Sequence, residues 1–181
     1  MDTSWMERTA LLVGEKGLEK LNNAHVLIVG LGGVGSYAAE AIGRSGVGKM
    51  TIIDGDTVDP TNRNRQLQAL SSTHGQNKAR LMGERLKLIN PEVEIDVIEE
   101  FKNPDDMKLF MAQKFSYVID AIDSISPKLY LLQTAYYNNQ RIISSMGAGG
   151  KMDPTKIKVV DISQTNICPM AQYVRKRLRY M

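Results

Sequence analysis

A glycine-rich segment between an apolar run and a helical pattern constrains the fold more than any other feature. The segment Gly30-Leu31-Gly32-Gly33-Val34-Gly35 follows the apolar residues 26–29 and leads into a helical pattern over residues 34–44. An apolar run that ends at a glycine is typical of a buried parallel strand. The glycines allow a tight turn and close approach to an anion, which the N–H groups and dipole at the helix start stabilise. The segment predicts a nucleotide site, and alone it fits NAD and ATP equally.

Strand and helix patterns alternate along the rest of the chain. This alternation predicts an α/β fold, a Rossmann-like, mostly parallel sheet with helices on both faces. Because such sheets bind ligands beyond the carboxyl ends of their strands, we expect Gly30, Asp54, Asp123 and Gly147 along one edge. The expected strands are residues 26–29, 50–53, 93–98, 117–119, 142–145 and 157–162, and the expected helices are residues 11–21 (broken near Gly14 and Gly17), 34–44, 76–89, 104–111, 126–137 and a last one from Pro169.

The composition indicates a soluble protein of a reducing compartment. The chain has 181 residues, a formal net charge of +3 and one cysteine, Cys168. A single cysteine excludes an internal disulfide and a zinc site built from Cys-x-x-Cys pairs. No stretch approaches the roughly 20 apolar residues that span a bilayer, and the first eight residues lack the apolar core of a signal peptide. We therefore expect a cytoplasmic protein.

Two acidic residues follow the second expected strand. Asp54 lies about 20 residues beyond the glycine segment, where a carboxylate accepts hydrogen bonds from ribose hydroxyls. Asp56 is a weaker candidate for the same task. This feature fits both NAD and ATP, and the alternative is an acid that only caps the strand end.

Two cations later in the chain favour ATP. Arg65 lies in the polar run Asn62-Arg63-Asn64-Arg65-Gln66, and Lys78 lies at the start of the next helix. A guanidinium group forks onto phosphate oxygens, and a lysine contacts them as a point charge. Each cation alone is more typical of a solvated surface. Together they suit a triphosphate, whose charge exceeds what one helix terminus balances, whereas a nicotinamide cofactor needs neither.

Asp120 and Asp123 flank the end of the fourth expected strand. Mg²⁺ keeps most of its water ligands and takes one or two protein carboxylates. We expect Asp123, which lies further toward the crevice, to hold the metal, while Asp120 fits equally a buried acid bound to backbone N–H groups.

The last residues are basic. Arg175-Lys176-Arg177-Leu178-Arg179 carries four cations and no acid, and the spacing of Val174 and Leu178 predicts one buried stripe with the cations facing outward. Such a face is usually only solvated, and contact with a phosphate backbone is the alternative.

A single cysteine is usually inert, so a nucleophilic role for Cys168 is the less favoured alternative.

The set Gly30–Gly35, Asp54, Asn64-Arg65-Gln66, Lys78 and Asp123 resembles the ATP-binding signature of the ThiF/MoeB/HesA family, which is similar to the adenylation domain of ubiquitin-activating enzymes. The resemblance covers nearly the whole chain. It implies adenylation, in which a carboxylate attacks the α-phosphate of ATP and pyrophosphate leaves. It also implies the cofactors ATP and Mg²⁺ and the following roles: the glycines Gly30, Gly32, Gly33 and Gly35 with Asp54, Asp56, Asn64 and Gln66 bind the nucleotide, Arg65 and Lys78 bind phosphates, and Asp123 binds Mg²⁺.

A second resemblance concerns the dimer. Arg8 is similar to the N-terminal arginine that dimers of this family insert into the ATP site of the neighbouring protomer. The resemblance therefore implies a homodimer in which Arg8 joins Arg65, Lys78 and Asp123 as a catalytic residue. Arg63 departs from the family pattern, which has an apolar residue there more often.

Further motifs lie at residues 13–18, 33–41 and 144–149 and at Asp153-Pro154. They resemble the tRNA threonylcarbamoyladenosine dehydratase subfamily, which activates the threonyl carboxylate of a modified adenosine beside the anticodon and closes it into a ring. This resemblance implies tRNA as the partner, a substrate that suits the basic tail. Members of the subfamily usually continue further, with a part that contains a cysteine, so we expect residues 1–181 to form a single ATP-binding adenylation domain without that part.

Two alternatives stay open. The chain fits an enzyme that adenylates the C-terminus of a ubiquitin-like sulfur carrier, with sulfur-transfer proteins as partners, although it lacks the Cys-x-x-Cys pairs of the zinc-bearing members. It also fits a non-catalytic or NAD-binding Rossmann module. Release of pyrophosphate on adding each substrate, or tight binding of NADH without ATP, distinguishes the three functions.

Overall fold

The computed structural model describes residues 4–180. Its centre is one sheet of five parallel strands in the order β3-β2-β1-β4-β5, which confirms the predicted α/β class. The strands are β1 (His25–Val29), β2 (Lys49–Ile53), β3 (Glu94–Ile98), β4 (Tyr117–Asp120) and β5 (Ile142–Ser144), and the α-helices are α1 (Glu7–Asn22), α2 (Gly35–Arg44), α3 (Lys78–Ile89), α4 (Pro104–Phe110), α5 (Ile125–Tyr137) and α6 (Pro169–Leu178).

The strand order creates a crevice between β1 and β4. The chain builds the sheet outward from β1 through β2 to β3, and then returns to the other side of β1 to place β4 and β5. The connections after β1 and β4 therefore leave in opposite directions, and ligands bind at such a switch point, beyond the carboxyl ends of the strands. The glycine segment follows β1, and Asp123 follows β4.

Helices bury both faces of the sheet. On one face Ala39 of α2 and Met82 and Leu86 of α3 pack against β1 and β2. On the other face Met107 of α4 and Leu131 of α5 pack against β1, β2 and β4. This two-sided burial explains the apolar run 26–29 of β1 and the mostly apolar run 50–53 of β2, which only Thr51 interrupts, because a strand covered on both faces has no polar side. None of the helices among residues 4–180 is long and apolar enough to cross a membrane.

The predicted sixth strand at residues 157–162 is wrong. These residues pair with no strand, and the chain forms a 3₁₀-helix at Ile162–Gln164 instead. Ile157 and Val159 are about four-fifths exposed. Alternating apolar residues favour a strand, but a strand also needs a neighbour to pair its backbone groups, and β5 pairs only with β4 among the described residues.

The first helix contains the predicted break at one of its two glycines. Gly14 has φ +70° and ψ 172°, which interrupts α1, whereas Gly17 stays within the helix. Gly17 closely approaches Val13 across the break. The glycine at position 14 is therefore the residue that redirects the chain.

Candidate nucleotide-binding site

The glycine turn needs glycine at two positions for steric reasons. Gly30 has φ +87°, and a Cβ there would lie 2.8 Å from the carbonyl oxygen of Ala121. A Cβ at Gly35 would lie 1.7 Å from the carbonyl oxygen of Gly30. The turn is therefore packed against the connection that follows β4, and its backbone leads directly into α2.

Arg65 lies against this turn. A Cβ at Gly33 would lie 3.2 Å from Cγ of Arg65, so the arginine's aliphatic stem covers the glycine. Arg65 follows a 3₁₀-helix, Pro60–Asn64, that the Asp59 side chain caps. Its Nη1 donates to the carbonyl of Thr61 at 3.1 Å and to Oδ1 of Asn64 at 2.9 Å. The Nε and Nη2 groups have no partner among residues 4–180, so the guanidinium keeps donors for a phosphate.

Two glutamines beside the turn are buried. Gln66 has its Nε2 3.8 Å from where a Cβ of Gly32 would lie. Gln68, which the sequence interpretation did not single out, donates from Nε2 to the carbonyl of Leu31 at 2.7 Å. Oε1 of each glutamine is buried without a hydrogen-bond partner among the described residues. Gln68 thus holds the backbone of the turn at Leu31. The only signal for this role in the sequence was the dense polar run of residues 62–66 that precedes it.

Asp54 holds the same turn from the strand side. Its Oδ2 accepts from the N–H of Leu31 at 2.6 Å and its Oδ1 from the N–H of Asp56 at 2.8 Å. Burial raises the pKa of this carboxyl, while the two backbone N–H donors and the charge of Lys78 oppose the rise. Each carboxylate oxygen keeps a lone pair, so Asp54 can still accept a ribose hydroxyl.

The raised pKa predicts how Asp54 changes stability with pH. Because the folded carboxyl has a higher pKa than the ordinary value of 3.8, the folded state binds more protons between the two values, and stability falls as pH rises through this window. We expect the free energy of unfolding of the wild type, minus that of Asp54→Asn, to decrease from about pH 3.5 toward neutrality. Urea unfolding across this range measures it, and a difference that grows with pH would contradict the burial argument.

Lys78 is buried and paired. It is the first residue of α3, which Asn77 caps, and its Nζ donates to Oδ2 of Asp56 at 2.8 Å. Only 6% of Lys78 is exposed, so it is not the solvated helix lysine that its position suggested in isolation. Asp56 therefore contacts the predicted phosphate lysine, and its carboxylate is half exposed, just after the end of β2.

Asp123 and Asp120 have opposite environments. Asp123 is exposed, makes no hydrogen bond within residues 4–180, and directly follows Ile122, whose N atom would lie 3.1 Å from a Cβ at Gly30. Asp120 is fully buried and accepts hydrogen bonds through both oxygens. The described residues contain no cluster of three or more His, Cys, Asp or Glu side chains that suits a metal. A lone exposed carboxylate at the crevice fits Mg²⁺, which takes its other ligands from water and phosphates.

A lysine that sequence reasoning missed holds Asp120. Lys128 of α5 is completely buried, and its Nζ donates to Oδ2 of Asp120 at 2.6 Å, to Oγ of Ser144 at 3.2 Å and to the carbonyl of Ser145 at 3.0 Å. The only signal in the sequence was an acid at a strand end eight residues before a lysine. That signal is weak because lysines are rarely buried.

Arg8 lies away from the glycine turn of its own chain. It is exposed in the first turn of α1, which follows Met6, and Met6 packs against Gly46 before β2. Gly46 lies before the amino end of β2, whereas the glycine turn follows the carboxyl end of β1, so Met6 and the glycine turn are at opposite ends of the strands. Arg8 makes no hydrogen bond or ion pair within residues 4–180.

The basic helix α6 differs from its expected form at one residue. Arg175 does not face outward, because its Nη1 donates to the carbonyl and, through a short contact, to Oγ1 of Thr165. The other cations of the tail are exposed.

At the start of α6 Cys168 accepts from the N–H of Ala171 at 3.4 Å. Burial raises the pKa of its thiol, but this N–H and the charge of Lys151 outweigh burial, so the net shift is downward.

The structure thus gathers most of the predicted residues at one edge. Arg65 and Gln66 lie beside the turn, Asp54 holds it, and Lys78 reaches the same strand end through Asp56. Fold and site define a Rossmann-like domain with a glycine-rich turn at its switch point, a geometry that suits an anion.

Comparison with known proteins agrees with this class. The model of the ThiF family matches residues 6–175, and the chain belongs to this family. It is similar to the tRNA threonylcarbamoyladenosine dehydratase of Escherichia coli, with 45% identity over 97% of this chain and 67% of that protein. The dehydratase of Bacillus subtilis is 46% identical over 95% of this chain and 68% of the relative. The chain thus spans about two-thirds of the length of these relatives.

A solved structure extends the similarity to three dimensions. The crystal structure of the E. coli dehydratase in complex with ATP superimposes with a TM-score of 0.95, covering 98% of this chain and 73% of the other.

A molybdopterin-synthase adenylyltransferase of Salmonella typhimurium is 35% identical over 76% of this chain and 54% of the relative.

Proposed function

We propose that residues 1–181 form the ATP-binding adenylation domain of a tRNA threonylcarbamoyladenosine dehydratase that acts in the cytoplasm, where its tRNA substrate is found. The observation that carries this proposal is that Arg65 lies against the glycine turn, with Lys78 beyond the end of the neighbouring strand β2 and Asp123 directly after the segment that packs on Gly30. Two cations and an exposed carboxylate suit a triphosphate with a metal ion, and NAD needs neither. The names of the similar dehydratases and the ATP in the E. coli structure support the same reaction.

In the proposed reaction a carboxylate oxygen of the threonyl group attacks the α-phosphorus of ATP. An O–P bond forms, the bond from the α-phosphorus to the bridging oxygen breaks, and pyrophosphate leaves. A heteroatom of the carbamoyl group in the same nucleoside then attacks the activated acyl carbon and closes the ring, the bond from that carbon to the AMP oxygen breaks, and the proton of the carbamoyl group passes to solvent. AMP leaves because it is a much better leaving group than hydroxide. The net change in the nucleoside is the loss of water.

Each part of the site has a role in that reaction. The N–H groups of the turn and the dipole of α2 bind phosphate oxygens. Arg65 uses its free Nε and Nη2 donors as a fork, and Lys78 adds a buried charge that Asp56 orients. Asp54 accepts from the ribose. Asp123 would hold Mg²⁺, which when bound offsets the charge of the departing pyrophosphate.

Pyrophosphate release tests the function. We expect release when the chain is mixed with Mg-ATP and tRNA that carries threonylcarbamoyladenosine, and none with the same tRNA lacking the modification. Release only with a small protein ending in Gly-Gly would instead identify a sulfur-carrier adenylyltransferase. Binding of NADH with no binding of ATP would overturn both.

We further propose that the site is completed by a second copy of the chain. Arg8 follows Met6, which packs on Gly46 near the amino end of β2, whereas the glycine turn follows the carboxyl end of β1, so we expect Arg8 to reach the site of a neighbouring protomer and not its own. Mixing Arg8→Ala with Asp123→Ala tests this arrangement. Each variant alone is expected to be inactive, while the mixture recovers about a quarter of the sites, because each mixed dimer contains one intact site. No recovery after exchange of subunits would contradict the shared site.

The exposed face of α6 is the surface that we propose for tRNA. Tyr173, Lys176 and Arg177 share this face, and the guanidinium of Arg177 lies 5.5 Å from the ring centre of Tyr173 while its Nε donates to the tyrosine hydroxyl at 3.1 Å. A cation held over an aromatic ring combines phosphate attraction with a surface on which bases stack.

Neutralising this face is expected to weaken tRNA binding. Lys176→Gln with Arg177→Gln removes two charges, which predicts a roughly tenfold rise in the Kd for tRNA and a smaller slope of log Kd against log salt, by about 1.5. Lys16→Gln with Lys20→Gln on α1 makes the same charge change as a control, and we expect it to leave binding nearly unchanged. Equal losses in both pairs would indicate only non-specific attraction.

A further inference from the structure

Lys128 joins the ends of two neighbouring strands at the edge of the sheet that holds the nucleotide site. All three donors of its buried ammonium group are used, by Asp120 at the end of β4 and by Ser144 and Ser145 at the end of β5. Oγ of Ser144 also donates to Oδ2 of Asp120 at 2.5 Å, and the N–H of Ser145 donates to the carbonyl of Asp120 at 2.8 Å. The network is closed, because every polar group in it has a partner.

Such a network contributes geometry more than stability. Lys128 and Asp120 are both fully buried, so each has lost its hydration. The attraction within a buried ion pair barely offsets that loss, and well-packed apolar residues often stabilise a fold as well or better. Hydrogen bonds are directional and apolar packing is not, so the network fixes the orientation of each polar group in it.

The network also fixes the backbone that leads to Asp123, the residue proposed to hold the metal. Oδ1 of Asp120 accepts from the N–H of Ile122 at 3.0 Å, which sets the course of the chain immediately before Asp123. Ala121, between them, donates to the carbonyl of Val29 at 2.9 Å and packs against the glycine turn. The segment that leads to Asp123 is therefore fixed by Lys128 on one side and by the turn on the other.

We propose that Lys128 is a positioning residue for the adenylation reaction, which orients Asp123 toward the metal and phosphates by fixing Asp120 to the end of β5. The inference rests on the proposed function. Lys128 is fully buried and does not touch the nucleotide itself. Its effect reaches the metal through the peptide between Asp120 and Asp123.

The test uses a variant that removes both buried charges. Lys128→Met with Asp120→Asn avoids an unpaired buried charge, and the asparagine oxygen still accepts from the N–H of Ile122. We expect this double variant to fold, to need about tenfold more Mg²⁺ for half-maximal pyrophosphate release, and to bind ATP without metal within about twofold of the wild type. Circular dichroism checks the fold, and Lys108→Met, an exposed lysine of α4, is the matched control.

Each outcome of these measurements decides for or against the inference. An unchanged Mg²⁺ requirement in a folded double variant overturns the positioning role, and so does a change in melting temperature alone. If the double variant does not fold, Ser144→Ala decides, because it removes the two hydrogen bonds of the Ser144 hydroxyl, to Lys128 and to Asp120, and keeps the ion pair. We expect a twofold to threefold shift in the Mg²⁺ requirement, and no shift overturns the inference. Asp123→Ala is measured in parallel, since an unaltered Mg²⁺ requirement in that variant removes Asp123 as the metal ligand and the positioning role of Lys128 with it. Absence of pyrophosphate release from the wild type with the modified tRNA overturns the proposed function instead.

Discussion

Asp123→Ala is expected to lower the rate of pyrophosphate release by about 10²- to 10³-fold, the usual effect of removing a group that stabilises charge in a transition state. Asp123 is exposed and makes no hydrogen bond within residues 4–180, so no contact of the fold is lost. The melting temperature should therefore stay nearly unchanged. Single-turnover release of pyrophosphate at saturating ATP measures the effect.

A matched control separates the site from general charge effects. Asp105 is also an exposed aspartate, in the first turn of α4, and Asp105→Ala removes the same charge from a different part of the surface. We expect full activity in that variant. If Asp123→Ala retained the wild-type rate and the wild-type dependence on Mg²⁺, Asp123 would not be the metal ligand.

Arg65→Ala is expected to reduce kcat/KM for ATP by about 10²-fold, equivalent to roughly 2.7 kcal/mol. The arginine keeps free donors beside the glycine turn, and a forked contact to phosphate is lost with it. Arg63→Ala is the control, because Arg63 is exposed two residues earlier, in the 3₁₀-helix that precedes Arg65. Steady-state kinetics with varied ATP compare the pair, and equal effects of the two changes would contradict the role of Arg65.

Lys78→Ala should act in the same direction as Arg65→Ala. Its partner Asp56 is half exposed, so the carboxylate left behind is hydrated and the fold survives. Lys87→Ala, on the exposed side of the same helix, provides the comparison. A loss of activity in both lysine variants would indicate a defect in α3 and not in phosphate binding.

Most of the fold followed from short-range patterns. The strands β1 and β2 were predictable because each is a mostly apolar run covered on both faces, and α2 because it begins at the glycine turn. The segment at residues 157–162 shows the limit of this reasoning. Its apolar alternation is as clear as that of a strand, but whether a neighbouring strand is available depends on topology, which periodicity does not contain.

The candidate site was predictable only in part. Gly30, Asp54 and Asp123 could be placed together because parallel strands bring their carboxyl ends to one edge. The pairing of Lys78 with Asp56 and the burial of Lys128 were not predictable, because a charged residue has the same appearance in a sequence whether it is solvated or paired in the interior. Their detection required the positions of the side chains.

A crystal structure of the chain with ATP and Mg²⁺ tests the central claim most directly. We expect the phosphates over the glycine turn, with Arg65 and Lys78 within hydrogen-bond distance of phosphate oxygens and the metal bound by Asp123. A nucleotide bound at another surface, or phosphates that contact neither cation, would contradict the account.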